Sequence, residues 1–316
     1  MINTSSFEKH ISFLKNEIEK GLSNIPIQET PNYLYDPIRY IINGKGKRLR
    51  PILVNIVGHA YKGDPEDLMK AALAVELLHN FTLVHDDIMD RDKMRHGQLT
   101  VHHKWDESTA ILSGDGLFVL SQLLLSSLPT IIHQRFNEVT LNICEGQGMD
   151  KEYENNNFIT MGQYLVMIGK KTGALLGLSA ELGALLSGVQ KEVAHSLFEY
   201  GLNLGLAFQI QDDLLEIFGE ESTMGKSLGS DVHSGKQTAL TILSRDKDSK
   251  KWNKFIKNKM KISDYKSYFI SNGIKYDTEK AIEHYIDKAN KALSIFPITK
   301  DNHLHQFTTM ILKRKF

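Results

Sequence analysis

The chain has 316 residues, enough for one large domain or two ordinary ones and for a substantial core. Its 38 lysines and arginines balance 38 aspartates and glutamates, which excludes a global charge aimed at nucleic acid, an acidic membrane surface or a disordered tail. The single cysteine, Cys144, forms neither an intrachain disulfide nor a thiolate zinc site, a usage that fits a reducing cytoplasm.

Met1 to His10 lacks a basic start followed by an apolar run, so no secretory leader is expected. Phe7, Ile11, Leu14, Ile18 and Leu22 step by three or four, the apolar face of an amphipathic helix. Asp36 before Pro37 and Asp64 before Pro65 each set a capping carboxylate ahead of a proline, predicting two helix starts. Gly63, Gly188 and Gly219 are predicted stops. Glu66 to about Met89 reads as one long helix and Lys191 to about Phe218 as another; both are apolar on more than one side, which places them inside a bundle. Gly173 to Val189 is the greasiest stretch, yet Glu181 interrupts it and it falls short of a membrane span, so a buried core helix is expected. The lysine-rich segment Arg245 to Lys261 reads as a solvated helix face with no special role. Strand alternation is scarce and no Pro/Gly/Ser linker divides the chain. The expected fold is all-α, a single-domain bundle of long antiparallel helices over residues 1–316.

The first long helix ends in Asp86-Asp87-Ile88-Met89-Asp90 and the second in Asp212-Asp213-Leu214-Leu215-Glu216. A four-residue step puts Asp86 under Asp90 and Asp212 under Glu216, so each helix offers a paired carboxylate face. Both clusters lie toward helix carboxyl ends, where the macrodipole already disfavours negative charge, and a cation is the natural remedy. Hard oxygen ligands without nearby cysteine favour Mg²⁺, which commonly completes its coordination with substrate phosphates. Two such clusters therefore suggest a diphosphate held between them. Basic groups are available to match: Gly44-Lys45-Gly46-Lys47-Arg48-Leu49-Arg50-Pro51, then Arg95-His96-Gly97, Lys170-Lys171-Thr172, Gly225-Lys226 and Gly235-Lys236. The first run, taken alone, equally describes a nucleic-acid patch or a surface loop.

In these motifs the sequence resembles the trans-type isoprenyl diphosphate synthase, or polyprenyl synthetase, family, over about Ile42 to Leu243. Asp86, Asp87 and Asp90 meet the family's first aspartate-rich motif in full. Asp212 and Asp213 meet the second, with Glu216 at its third acid. The resemblance makes Asp86, Asp87, Asp90, Asp212 and Asp213 catalytic and assigns metal ligation to Asp86, Asp90, Asp212 and Glu216. The glycine-lysine-arginine motif corresponds to Lys45 through Pro51, with Lys45 in place of the first glycine. Its Gly46, Lys47 and Arg50 are assigned to isopentenyl diphosphate. His79, ~20° round the helix from Asp86 at ~100° per residue, joins them. Arg95 goes to the allylic diphosphate, and His96 replaces a usual arginine contact to isopentenyl diphosphate. Lys171, Thr172, Gln209, Lys226 and Lys236 resemble the remaining allylic diphosphate contacts.

The resemblance implies an isoprenoid-synthase bundle around a central cavity, a homodimer, and three Mg²⁺ that make the allylic diphosphate a leaving group. Isopentenyl diphosphate then adds head to tail to the carbocation. It also implies that bulky side chains before the first acidic motif close the floor of a product tunnel. Phe81 lies ~7.5 Å along the helix from Asp86, with the smaller Thr82 after it, which points to a farnesyl or geranylgeranyl product. The helical wheel turns Phe81 ~140° and Thr82 ~40° from Asp86, so the aromatic ring has an alternative place in the core behind the tunnel.

Three rival readings follow from the same residues. Glu76-x-x-His79 and Glu192-x-x-His195 match the signature of a ferritin-like di-iron bundle, though that leaves the ordered basic groups unexplained and His195 reads better as a helix-surface residue. A non-catalytic partner subunit of a two-component synthase would generally lack the acidic and basic motifs. A terpene cyclase would not need Lys47 and Arg50 to grip a second diphosphate.

Overall fold

The computed structural model describes residues 4–154, 156, 158–219, 229, 232, 235–257, 260–295 and 303–312. Helices account for nearly all regular structure among them, as expected: α1 (Thr4–Ser23), α2 (Asn32–Ile42), α3 (Leu49–Ala60), α4 (Pro65–Asp90), α5 (Val101–Lys104), α6 (Glu107–Leu125), α7 (Thr130–Tyr153), α8 (Met161–Ile168), α9 (Ala174–Leu185) and α10 (Lys191–Phe218). A π-helical turn, Gly169–Gly173, joins α8 to α9. Beyond α10 come α11 (Ala239–Lys247), α12 (Ser249–Ile256), α13 (Ile262–Ser271), α14 (Ile274–Ala292) and α15 (His303–Leu312). The described strands are β1 (Met94–Arg95) and β2 (Gln98–Leu99), an antiparallel hairpin pairing Met94 with Leu99 and Arg95 with Gln98.

The chain forms two compact units, Met1–Thr140 with Leu178–Phe198, and Leu141–Gly177 with Glu199–Phe316. Their boundaries fall within α7, α9 and α10 rather than in linkers.

In the first unit α4 is the central helix. Leu68, Ala71–Leu78, Asn80 and Val84 are buried, and α1, α2, α3, α5 and α6 pack against it. Asp64 caps it as the sequence predicts, its Oδ1 accepting from Glu66 N at 3.0 Å and Asp67 N at 3.1 Å. Asp36 does not cap α2. That helix starts after Pro31 and carries Pro37 in its interior, while the Asp36 carboxylate pairs with Arg39 Nη2 at 2.6 Å. Burial of Pro37, Ile38 and Ile42 on the inner face outweighs the backbone hydrogen bond that Pro37 forgoes.

The greasy segment becomes α9, and the glutamate that interrupts it is buried in the first unit. Glu181 accepts a forked pair of bonds from Arg135, from Nε at 3.0 Å and Nη2 at 2.9 Å. A different helix, α6, is long and apolar enough to cross a membrane by length and composition. Its inner row, Ala110, Ser113, Gly114, Leu117, Ser121 and Leu125, is buried, and it packs on α2, α4 and α5.

The second unit has its own core, in which Tyr164, Met167, Ile210, Leu214, Leu240 and Phe269 meet. Here the lysine-rich segment differs from expectation. Its described lysines are exposed, but α12 buries Trp252, whose ring stacks on Phe255 and Phe269 at 5.9 Å centroid distance from each. Trp252 and Phe255 together dock an otherwise lysine-rich helix.

Candidate active site

The first acidic cluster closes α4. Asp86 and Asp90 lie one turn apart and are partly accessible, whereas Asp87 is 5% exposed and turned into the unit. Arg95 Nε donates to Asp87 Oδ1 at 2.6 Å, and Arg95 Nη2 to Asp92 Oδ2 at 3.2 Å. Burial pushes the Asp87 carboxyl up to about 6; Arg95 pulls against that, and Asp92 and Asp86 add to it. The hairpin supplies Arg95 from β1. His96 and Gly97 form its tip, both with positive φ (50° and 78°), the conformation a two-residue hairpin turn demands. Partial desolvation, then Arg95, Lys47 and Arg48, hold the His96 pKa below its ordinary value. The hairpin lies beside the 44–50 loop: a Cβ at Gly44 would stand 3.6 Å from Gln98 Oε1.

That loop leads into α3 and faces the middle of α4. Arg50 Nη1 meets His79 Nε2 at 3.1 Å, and desolvation with the nearby Arg50, Arg95, His96 and Arg48 charges holds His79 well below the usual imidazole range. His79 is therefore neutral near pH 7, with Nε2 accepting from the guanidinium. Lys47 is exposed and Arg50 half-buried. The structure thus gathers Lys47, Arg50, His79, Arg95 and His96 around one stretch of α4. It also adds Arg48 to the cluster, a residue the sequence reading left without a role: its Nη1 donates to Glu76 Oε1 at 2.7 Å.

Phe81 sits one turn before His85. Its ring packs at 4.7 Å from the His85 ring and 5.6 Å from Phe118 on α6, while Thr82 Oγ1 donates to His79 O at 2.8 Å.

The second cluster closes α10 in the other unit, and its adjacent aspartates divide in the same way, while Glu216, unlike Asp90, is buried. Asp212 is partly accessible; Asp213 and Glu216 are 6% and 8% exposed. Asp213 Oδ2 accepts from Tyr164 Oη at 2.6 Å and from the Ala239 backbone N–H at 2.8 Å, and Oδ1 accepts from Gln209 Nε2 at 3.3 Å. Gln209 Oε1 in turn accepts from Thr172 Oγ1 at 3.0 Å. Lys171 Nζ pairs with Asp150 at 2.5 Å. Both Lys171 and Thr172 ride on the π turn, a geometry common at functional sites. Gly146 on α7 makes room for it: a Cβ there would lie 2.4 Å from Lys171 N and 2.8 Å from Lys170 C. Lys236 is partly accessible in the segment leading to α11, and Lys226 lies outside the described residues.

Neither cluster is a self-sufficient metal centre. Among the described residues, no group of three or more His, Cys, Asp or Glu side chains could hold an ion alone. An all-oxygen, two-carboxylate set fits a hard cation that takes its remaining ligands from phosphate and water, and so fits Mg²⁺. The di-iron signature dissolves in the same geometry. Glu76 is engaged by Arg48, His79 by Arg50, and His195 is exposed.

Sequence reasoning missed Tyr164, Glu76 as an ion-pair partner, and the π turn. Only the apolar context of Tyr164 and Glu76 hinted at the first two.

Comparison with known proteins gives the same assignment. The polyprenyl synthetase family model matches residues 31–271. The chain is 36% identical over 307 residues to a geranylgeranyl pyrophosphate synthase of Geoglobus acetivorans, covering 94% of this chain and 96% of that protein. It is 41% identical over 226 residues to a geranylgeranyl diphosphate synthase of Methanosarcina mazei, covering 70% of each. The crystal structure of geranylgeranyl pyrophosphate synthetase from Pyrococcus horikoshii superposes with a TM-score of 0.90 at 32% identity, over 98% of this chain and 100% of that one. Family model, curated relatives and fold agree: the chain belongs to the polyprenyl synthetase family and is a prenyltransferase.

Proposed function

We propose that the protein condenses isopentenyl diphosphate head to tail with an allylic diphosphate in a Mg²⁺-dependent reaction, giving a short-chain farnesyl or geranylgeranyl diphosphate. The observation that carries this reading is the Lys47, Arg50 and His79 group set beside an acidic helix end, with a second acidic end on α10. Asp86 and Asp90, and separately Asp212 and Glu216, hold the metal. Mg²⁺ held there, three ions by family analogy, would supply the positive charge that makes the allylic diphosphate a leaving group. The resemblance assigns Lys171, Lys236 and Arg95 to the allylic diphosphate. Thr172 and Gln209 are oriented by their mutual hydrogen bond. Lys226 belongs to this set by sequence alone.

Lys47 and Arg50, with Gly46 and the neutral His79, bind the diphosphate of isopentenyl diphosphate, and His96 closes over it. The allylic C–O bond breaks with its electron pair going to pyrophosphate. The isopentenyl π electrons form the new C–C bond, and pyrophosphate takes the proton released. No side-chain nucleophile is required; placement and charge stabilisation supply the catalysis. Phe81, backed by Phe118, limits tail growth, and the small Thr82 beside it favours geranylgeranyl, in keeping with the names of the relatives above.

Residues 1–316 act as one synthase domain, in a cytoplasmic homodimer. The outward row of α6, with Ile111 47%, Leu112 47%, Val119 55% and Leu123 61% exposed, is the face a second copy would cover. The reaction is tested by following isopentenyl diphosphate incorporation during Mg²⁺ titration. Incorporation should vanish with EDTA and in Asp86→Ala and Asp212→Ala, whose folds should survive. Full activity in EDTA, or in either variant, would contradict the reading.

A further inference from the structure

Arg48 follows the exposed Lys47 yet is turned inward. Its residue is 6% exposed, and it occupies the left-handed region (φ 52°, ψ 34°) at the position capping α3. That conformation is uncommon for a side chain of this size and persists only where surroundings enforce it. The contacts of its guanidinium enforce it. Arg48 Nη1 donates to Glu76 Oε1 at 2.7 Å, and Nη2 donates to Gly44 O at 2.5 Å and reaches Ile42 O at 3.4 Å. Gly46 wraps over the same guanidinium: a Cβ there would stand 3.0 Å from Arg48 Nη1 and 3.3 Å from Cζ. The loop therefore folds around its own arginine, and the arginine is pinned to α4 by Glu76, itself only 3% exposed.

One turn further along α4, His79 receives Arg50. Two rungs, Arg48–Glu76 and Arg50–His79, thus tie the residues on either side of Leu49 to one face of α4. Glu76 also sets a buried carboxylate against Arg48, one turn before the His79 that feels the Arg50 and Arg95 charges. Cations crowded for a dianionic ligand repel one another in its absence, and an embedded carboxylate reduces that cost. A buried ion pair is weak evidence for stability, because apolar residues of equal volume commonly do as well. Its defensible use is geometry.

We propose that Arg48 and Glu76 are a positioning pair that holds Lys47 and Arg50 in register for the diphosphate of the non-allylic substrate, without touching that substrate. The inference rests on the isopentenyl diphosphate assignment above. Glu76→Gln keeps the shape and an acceptor but removes the charge. Its KM for isopentenyl diphosphate should rise about tenfold or more, with kcat at saturation and the allylic KM little changed, the pattern of lost ground-state binding. Arg48→Lys, which keeps charge but not the fork, should fall between wild type and Glu76→Gln. The double variant Arg48→Met/Glu76→Leu should recover the wild-type melting temperature and keep the raised KM.

Recovery of both together would reduce the pair to core packing and overturn the proposal. An unchanged KM in Glu76→Gln would overturn it too, as would equal damage to both KM values and kcat. If Glu76→Gln does not fold, the double variant and Arg48→Lys decide by the same comparison. A wild-type enzyme with no saturable dependence on isopentenyl diphosphate contradicts the parent assignment, and this proposal with it. One that saturates while the variants keep its KM contradicts the pair alone.

Discussion

Tyr164 Oη lies 2.6 Å from Asp213 Oδ2, a buried phenol donating to a carboxylate of the second acidic motif. The same oxygen accepts from Ala239 N at 2.8 Å, so one side chain joins α8, α10 and the start of α11. Adjacent residues on a helix diverge by ~100°, and two consecutive aspartates cannot serve one direction. Asp213 serves the framework and Asp212, beside it, stays accessible. Asp87 and Asp86 divide the work in the same way in the first unit.

Tyr164→Phe removes one donor from a buried carboxylate and leaves those from Ala239 and Gln209. We expect a loss of about 1.5–3 kcal/mol, the range for hydrogen bonds to charged groups, together with lower turnover as α11 loosens. Urea unfolding checks the first and steady-state kinetics the second. An unchanged midpoint and rate would show that the bond carries no weight.

Gly146→Ala should reverse the usual benefit of removing a helical glycine. The added methyl meets backbone of the π turn, which cannot rotate aside, so Lys171 and Thr172 must shift. Overpacking should destabilise by about 1–3 kcal/mol, and turnover should fall about tenfold or more. Greater stability with full activity would mean that the π turn tolerates displacement.

Asp87 gives a pH signature. Its folded pKa of about 6 lies above its ordinary 3.8, so the folded metal-free protein binds the proton more tightly than the unfolded chain. That contribution to stability is fully present below pH 3.8 and is lost as pH rises through about 6. Asp87→Asn lacks this dependence. Relative to wild type it should gain up to about 3 kcal/mol on going from pH 4 to pH 7.5 without metal, as read from melting curves. A constant difference across that range would contradict it.

His96 should couple protonation to ligand binding in the same sense. Partial burial and then the neighbouring cations depress its pKa in the free protein, and a bound diphosphate would raise it. Affinity for isopentenyl diphosphate should then be highest below the depressed pKa and weaken as pH rises above it, with proton uptake visible in calorimetry across buffers. His96→Arg should remove the dependence. A flat KM profile in wild type would place His96 outside the site.

Much of this was legible in the sequence because it depends on local periodicity. The two long helices, the Asp64 cap and the paired acids one turn apart all follow from spacing. What was not legible depends on partners distant in the chain. Asp36 looked like a cap because its competitor, Arg39, becomes decisive only when the inner face of α2 is buried. Glu181 looked like an interruption because Arg135 is 46 residues away. Arg48 looked like one more cation in a basic run, and its inward turn is fixed by Glu76, 28 residues downstream.

The central claim is tested most directly by product analysis. Isopentenyl diphosphate is supplied with each allylic primer in turn, and the dephosphorylated products are separated by chromatography for wild type and Phe81→Ala. The expected result is primer extension to farnesyl or geranylgeranyl length in wild type, with longer chains in Phe81→Ala and no loss of the first condensation. Failure of the wild-type protein to extend any primer would contradict the account. Wild-type chains of six or more isoprene units, or unaltered length in the variant, would remove Phe81 as the floor.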